Sequence, residues 1–153
     1  MKRPPAPPHL VSRVPLRVRF CETDLMGIVH HANYLQYFEV GRVDWLQKRG
    51  ISYEGWTREG LHLPVVDVKL RYRRAARFDD ALVIETSCSE TSRATVLFTY
   101  RVLRGEELLC EGETLLACVG DAMAAKRFPE HVVEALNRAE REPSSAQAAA
   151  DLR

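Results

Sequence analysis

Along the chain the spacing of apolar side chains changes period several times. Leu16, Val18 and Phe20 alternate with Arg17 and Arg19, the period of a strand buried on one face. Tyr34, Phe38, Gly41 and Trp45 then recur at spacings of four, three and four, with Gln36, Asp44, Gln47 and Lys48 supplying polar positions. That spacing predicts an amphipathic helix of about four turns. Gly50 follows it in the usual helix-ending role, and Asn33 with Gln36 three residues on is compatible with a cap at its start, as is a helix beginning two residues earlier. Thereafter period two dominates. Val66, Val68, Leu70 and Tyr72 form one alternating run, Leu82, Ile84, Thr86 and Cys88 a second, and Val96, Phe98, Tyr100 and Val102 a third. The Arg104-Gly105 turn leads into a fourth across Leu108 to Val119, and a short helix is expected from Pro129 to about Arg138. Strand, long helix, four strands joined by short links and a small helix describe an α+β domain. Its sheet is mainly antiparallel, with the apolar face of the long helix against it. One helix covers only part of such a sheet, so an oligomer is expected.

Both ends look loose. Pro4, Pro5, Pro7, Pro8 and Pro15 crowd the first fifteen residues and remove backbone donors. The stretch PSSAQAAAD near the end offers little bulky apolar side chain. The expected organisation is a flexible segment over 1–15, one domain over 16–140 and a flexible tail over 141–153. A length of 153 residues with 46% hydrophobic side chains suits one domain with its own core. With 22 basic and 21 acidic residues there is no global field to recruit nucleic acid or an anionic membrane. No stretch has the length of a signal-peptide core or a bilayer span, so a cytoplasmic protein is expected. Cys21, Cys88, Cys110 and Cys118 lack zinc-site spacing and are read as reduced thiols in or near the core.

Between the first strand and the long helix stands CETDLMGIVHHANY, residues 21–34. The helix start offers unpaired amides with partial positive charge, which favour a developing anion. Asp24 stands just before them, Gly27 permits a turn or a close ligand, and His31 lies where the helix begins. A carboxylate facing a carbonyl whose oxygen meets amide donors suits hydrolysis of an activated acyl compound. An Asp in a strand-to-helix link also serves simply as turn-maker or cap.

The run from Phe20 to Tyr34, continued by Leu35 to Arg42 with Glu39 three residues before Arg42, resembles the active-site segment of the hotdog-fold acyl-CoA thioesterases. The likeness is to the 4-hydroxybenzoyl-CoA thioesterase and Tol-Pal-associated types. The resemblance implies a hotdog fold, an antiparallel sheet wrapped around one long central helix. It implies that Asp24 is nucleophile or general base, and that the backbone N–H at His31 polarises the thioester carbonyl. In one branch of the family a histidine side chain at that position takes part. Gly27 matches the glycine before the helix, and Tyr34 and Glu39 match positions near the acyl pocket. Arg93 falls where relatives place basic residues against the nucleotide of coenzyme A. Arg73, Arg74 and Arg77 are the densest basic cluster and an alternative phosphate contact, or an exposed edge kept soluble. The resemblance further implies a homodimer, often paired into a homotetramer, with no metal or redox cofactor, acting on a thioester of coenzyme A or of an acyl-carrier protein. A hydratase or dehydratase, or a non-catalytic acyl-binding module, are the alternatives.

Other candidates carry less. Adjacent His30 and His31 are expected to have diverging side chains, and no third ligand at a metal spacing accompanies them. His9, His62 and His131 stand alone as surface or boundary residues. Glu39 and Arg42, three apart on the helix, are spaced to pair with each other or to meet substrate. Trp45, Trp56 and the tyrosines are expected in the core. No G-x-S-x-G elbow, phosphate loop or dinucleotide fingerprint is present.

Overall fold

A computed structural model describes residues 3–142. After a 3-10 turn at Pro8–Leu10, strand β1 runs Val11–Arg17, and a second 3-10 turn follows at Phe20–Glu22. Helix α1 spans Asn33–Gln47 and the short helix α2 Tyr53–Arg58. Then come β2 (Val65–Tyr72), β3 (Ala81–Thr91), β4 (Thr95–Arg104) and β5 (Glu107–Ala117), and finally α3 (Glu130–Leu136). The five strands form one antiparallel sheet in the order β1-β3-β4-β5-β2. This is the α+β hotdog architecture that the sequence resemblance implied.

The first strand begins earlier than the alternation around Leu16 suggests. It pairs Val11 with Ser87 through to Arg17 with Ala81, whereas Phe20 sits in a 3-10 turn with its side chain largely exposed. The domain boundary expected at 16 is therefore misplaced: 11–15 are strand, and Leu10 is buried in the core. The prolines misled because β1 lies at a sheet edge, where Pro15 has no partner strand on one side and its missing N–H costs no ladder bond. Of the loose tail expected over 141–153, everything beyond 142 lies outside the described residues.

The expected series of four hairpin-linked strands holds for β3, β4 and β5 only. β2 pairs with β5 rather than β3, so the link 73–80 crosses the ends of β5 and β4. The helix α2 had no counterpart in the sequence expectation; Ser52 caps it, its Oγ accepting the Gly55 N–H.

The helix α1 lies against β3, β1 and β4. Its apolar stripe builds the core: Phe38 stacks on Tyr100 at 4.3 Å, and Trp45 meets Phe98 edge-on at 5.2 Å. Gly41 makes the close approach possible, because a Cβ there would stand 2.3 Å from Thr86 Oγ1 and 2.7 Å from Ile84 Cγ2. The helix ends as expected. Gly50 has φ +72°, its N–H reaches Gln47 O at 2.9 Å, and the Ile51 N–H reaches Leu46 O at 3.0 Å, a Schellman closure. Its start differs, since Asn33 is the first helical residue and caps nothing.

Trp45 and Trp56 are buried as expected, as are Cys88, Cys110 and Cys118; Cys21 is exposed. Arg42 is buried too, donating to the Tyr53 and Tyr100 hydroxyls rather than pairing with exposed Glu39. No described helix is long and apolar enough to cross a membrane. Val65, Val66 and Val68 on β2 are exposed.

Candidate functional site

The link between β1 and α1 folds into a small hairpin. Thr23 bridges Val29, the Asp24 N–H reaches Ile28 O at 2.9 Å, and the Gly27 N–H reaches Asp24 O at 2.9 Å. Gly27 closes this turn at φ +75°, a conformation that costs a residue with a Cβ. Asp24 opens the turn, and its Oδ1 accepts the Met26 N–H at 2.9 Å. Its second oxygen is engaged by no described residue, so the carboxylate is both oriented and available.

Glu22 anchors the base of the hairpin to the helix. Its carbonyl accepts the His30 N–H at 2.9 Å and Asn33 Nδ2–H at 2.7 Å. Its buried carboxylate accepts the Arg19 N–H at 2.7 Å and the Tyr37 hydroxyl at 3.1 Å. Burial, and then the Glu22 charge, push the Tyr37 phenol well above its ordinary range, so it stays a donor. The other side of the hairpin docks on the crossing link, with the Val29 N–H on Ala76 O at 2.8 Å.

These ties bring Asp24, His31, Tyr34, Arg73 and Arg74 around one cleft of about 260 Å³, with Met26, Ile28, Val29, Tyr72 and Ala75 completing its wall. Tyr34 is buried and meets Tyr72 edge-on at 5.4 Å; burial raises its phenol pKa. His31 precedes the helix, and among the described residues its N–H donates to no protein acceptor. Arg73 lies 2.6 Å from Glu111, and Arg74 is more loosely placed at 3.8 Å from Glu107. The Arg77 guanidinium lies beside Gly27, without an ion pair among the described residues.

Two expected site residues are elsewhere. Glu39 lines a separate cleft with Val14, Val40, Val43, Asp44 and Gln47, because it lies on the outer side of α1 while Tyr34 and Phe38 face inward. Arg93 occupies the turn between β3 and β4, at the opposite end of the sheet from Asp24 within one chain. The length of β3 separates them, roughly 30 Å at the usual rise per residue. Glu22 and Tyr72, which tie the hairpin and the residue before α1 in place, have no counterpart in the sequence expectation. Nothing in the local pattern marks them, since an acidic residue in a turn and a tyrosine on an alternating strand have many structural uses.

Comparison with known proteins gives a consistent result. Residues 18–136 match the model of the thioesterase-like superfamily. The acyl-CoA thioesterase YbgC of Haemophilus influenzae is 34% identical over 125 residues, covering 80% of this chain and 92% of that protein. A structure of the hypothetical protein TT1821 from Thermus thermophilus superposes with a TM-score of 0.79 at 40% identity, over 82% of this chain and 97% of that one. A DHNA-CoA thioesterase from Staphylococcus aureus superposes with the same score at 26% identity, over 93% and 94% of the two chains.

Proposed function

The chain belongs to the thioesterase-like superfamily and is a thioester hydrolase; from that premise we propose that it cleaves acyl-CoA thioesters in the cleft between the Asp24 hairpin and the crossing link. The observation that carries the reading is the convergence of one oriented carboxylate and one unpartnered helix-start amide on a single, mainly apolar wall.

In this reading the thioester carbonyl oxygen lies toward the His31 N–H. The positive end of α1 and that donor stabilise the tetrahedral oxyanion, which exists only along the reaction path. Asp24 acts from the opposite side. As general base its free oxygen takes a proton from the attacking water; as nucleophile it forms a mixed anhydride, which water then hydrolyses. Either route expels the coenzyme as its thiolate, which takes up a proton, and leaves the free acid. The acyl group lies against Ile28, Val29 and Tyr34. The nucleotide arm lies toward Arg73 and Arg74, whose forked donors suit phosphate. No metal or redox group enters this chemistry. A carrier-protein thioester presents the same reacting atoms and fits the same assignment. The exposed Val65, Val66 and Val68 on edge strand β2 support association of copies of this chain, as the homodimer or homotetramer that the resemblance implies.

The test is thiol release from a panel of aliphatic and aromatic acyl-CoAs, with the native protein beside Asp24→Asn. A loss of at least about a hundredfold is expected in the variant, and equal rates would remove Asp24 from the mechanism. A rapid quench during the first turnover separates the two routes: an acyl group covalently attached to the Asp24 peptide identifies a nucleophile, and its absence while free acid accumulates in a burst-free time course identifies a base.

A further inference from the structure

We propose that Tyr72 is a positioning residue for hydrolysis, holding the His31 backbone at the angle from which its amide polarises the substrate carbonyl. The proposal rests on the reading of His31 given above. The Tyr72 hydroxyl donates to His31 O at 2.9 Å, a contact that spans 41 residues of sequence.

The need for such a contact follows from where the helix begins. A carbonyl one turn before a helical amide ordinarily accepts that amide. Here the Leu35 N–H goes to Ala32 O at 3.3 Å, so the helical ladder stops short of His31. The neighbours of His31 are fixed by other bonds: the His30 N–H to Glu22 O, the Ala32 N–H to His30 Nδ1 at 3.1 Å, and the Asn33 N–H to His30 O at 2.9 Å. His31 itself has one backbone hydrogen bond among the described residues, and Tyr72 supplies it. The peptide plane that carries the His31 N–H is tied at its His30 O by the Asn33 N–H, and Tyr72 fixes the plane that follows it at His31 O, so one side chain from a different element completes the clamp on the angle-sensitive residue.

Tyr72 is suited to that task. It is the last residue of β2, paired in register with Cys110, so its backbone is set by the sheet. Its ring rests edge-on against buried Tyr34, which restricts where the hydroxyl points. Yet 51% of the residue is exposed, where a hydrogen bond contributes little to global stability. A polar contact in the wall of the Asp24 cleft, with little to offer the fold, points to positioning.

Tyr72→Phe removes the hydroxyl and keeps the ring. The expected result is a fall in kcat of about tenfold with KM within about twofold, because a displaced oxyanion donor weakens the transition state and not the ground state. The fall should be the same for short and long acyl groups. The urea midpoint and the sedimentation behaviour should match those of the native protein. An unchanged kcat overturns the proposal. So does a raised KM at constant kcat, which would make the hydroxyl a substrate contact, and so does a loss of activity that follows a loss of stability or assembly. Asp24→Asn, measured alongside, separates the failures. An inactive Asp24→Asn beside a fully active Tyr72→Phe refutes the positioning role alone, whereas an active Asp24→Asn refutes the site reading beneath it.

Discussion

If Glu22 anchors the hairpin through Tyr37, the two residues must be energetically coupled, and a double-mutant cycle measures that coupling. Glu22 is 7% exposed and Tyr37 1%, with 3.1 Å between carboxylate and hydroxyl. Glu22→Ala leaves the buried hydroxyl without an acceptor, a loss of about 3 kcal/mol once the bond and the orphaned donor are counted together. Tyr37→Phe removes the donor but leaves the carboxylate its Arg19 N–H contact, at about 1.5 kcal/mol. The exposed ion pair with Arg19 adds little in either case. In the double variant no donor is orphaned, so its loss should be about 1.5 kcal/mol, the bond alone, and not the additive 4.5, a coupling of about 3 kcal/mol. Urea unfolding at pH 7 gives all four stabilities. Thioester hydrolysis on the same preparations, well below their unfolding midpoints, should show kcat falling in each Glu22 variant, because Asp24 lies two residues along the anchored arm. A coupling below about 0.5 kcal/mol, the usual limit for independent sites, would refute the anchor, as would unchanged kcat in Glu22→Ala.

Two further outcomes follow from the charges around the site and the sheet. Arg73→Ala and Arg74→Ala should each raise KM for acyl-CoA by about tenfold, as expected for one lost charged phosphate contact, and leave the same acyl thioester of N-acetylcysteamine, which lacks the nucleotide, unaffected. An equal effect on both substrates would place the arginines at the acyl end. Away from the site, burial alone would lift the Glu85 carboxyl, but hydrogen bonds from Arg101 and Arg13 outweigh it and hold the pKa below the usual 4.5. A carboxyl depressed by folding stabilises the protein above its unfolded pKa and ceases to as the pH falls through its folded one. Glu85→Gln should therefore have a lower urea midpoint than the native protein between pH 6 and 8, with the gap closing below about 4.5; a gap that widens in acid would reverse the assignment.

Much of the architecture was legible because it depends on local period. The stripe Tyr34, Phe38, Gly41 and Trp45 became the buried face of α1, and the alternation from Leu82 onward became β3, β4 and β5. What escaped depends on pairing partners far along the chain. Pro15 reads as a break until β1 is known to be an edge strand, and the run Val66 to Tyr72 reads as the first arm of a hairpin until its partner proves to be β5. The site divides the same way. Asp24, Gly27 and His31 are close in sequence and were visible together, whereas the contacts from Glu22 to Tyr37 and from Tyr72 to His31 join residues 15 and 41 positions apart. Arg93 shows how little a turn's composition says about distance: it stands, within one chain, at the other end of the sheet from Asp24.

The crossing link explains why a cleft forms where it does. β2 leaves the sheet at Tyr72 beside β5, while the next strand in sequence must start beside β1, so the chain passes over the ends of two intervening strands. Each step of that passage is fixed by a hydrogen bond. The Arg73 and Arg74 N–H groups go to Leu109 O on β5, Arg104 of β4 donates to Ala75 O, and the Asp79 N–H reaches Val18 O just beyond β1. Midway the link accepts the Val29 N–H of the hairpin on Ala76 O. The topology thus lays a basic segment directly against the turn that carries Asp24, at the end of the sheet where α1 begins. A β2 paired with β3 would need no such passage, and the hairpin would then face solvent with no opposing wall. The position of one edge strand accordingly decides whether the acid, the helix start and the arginines share a surface.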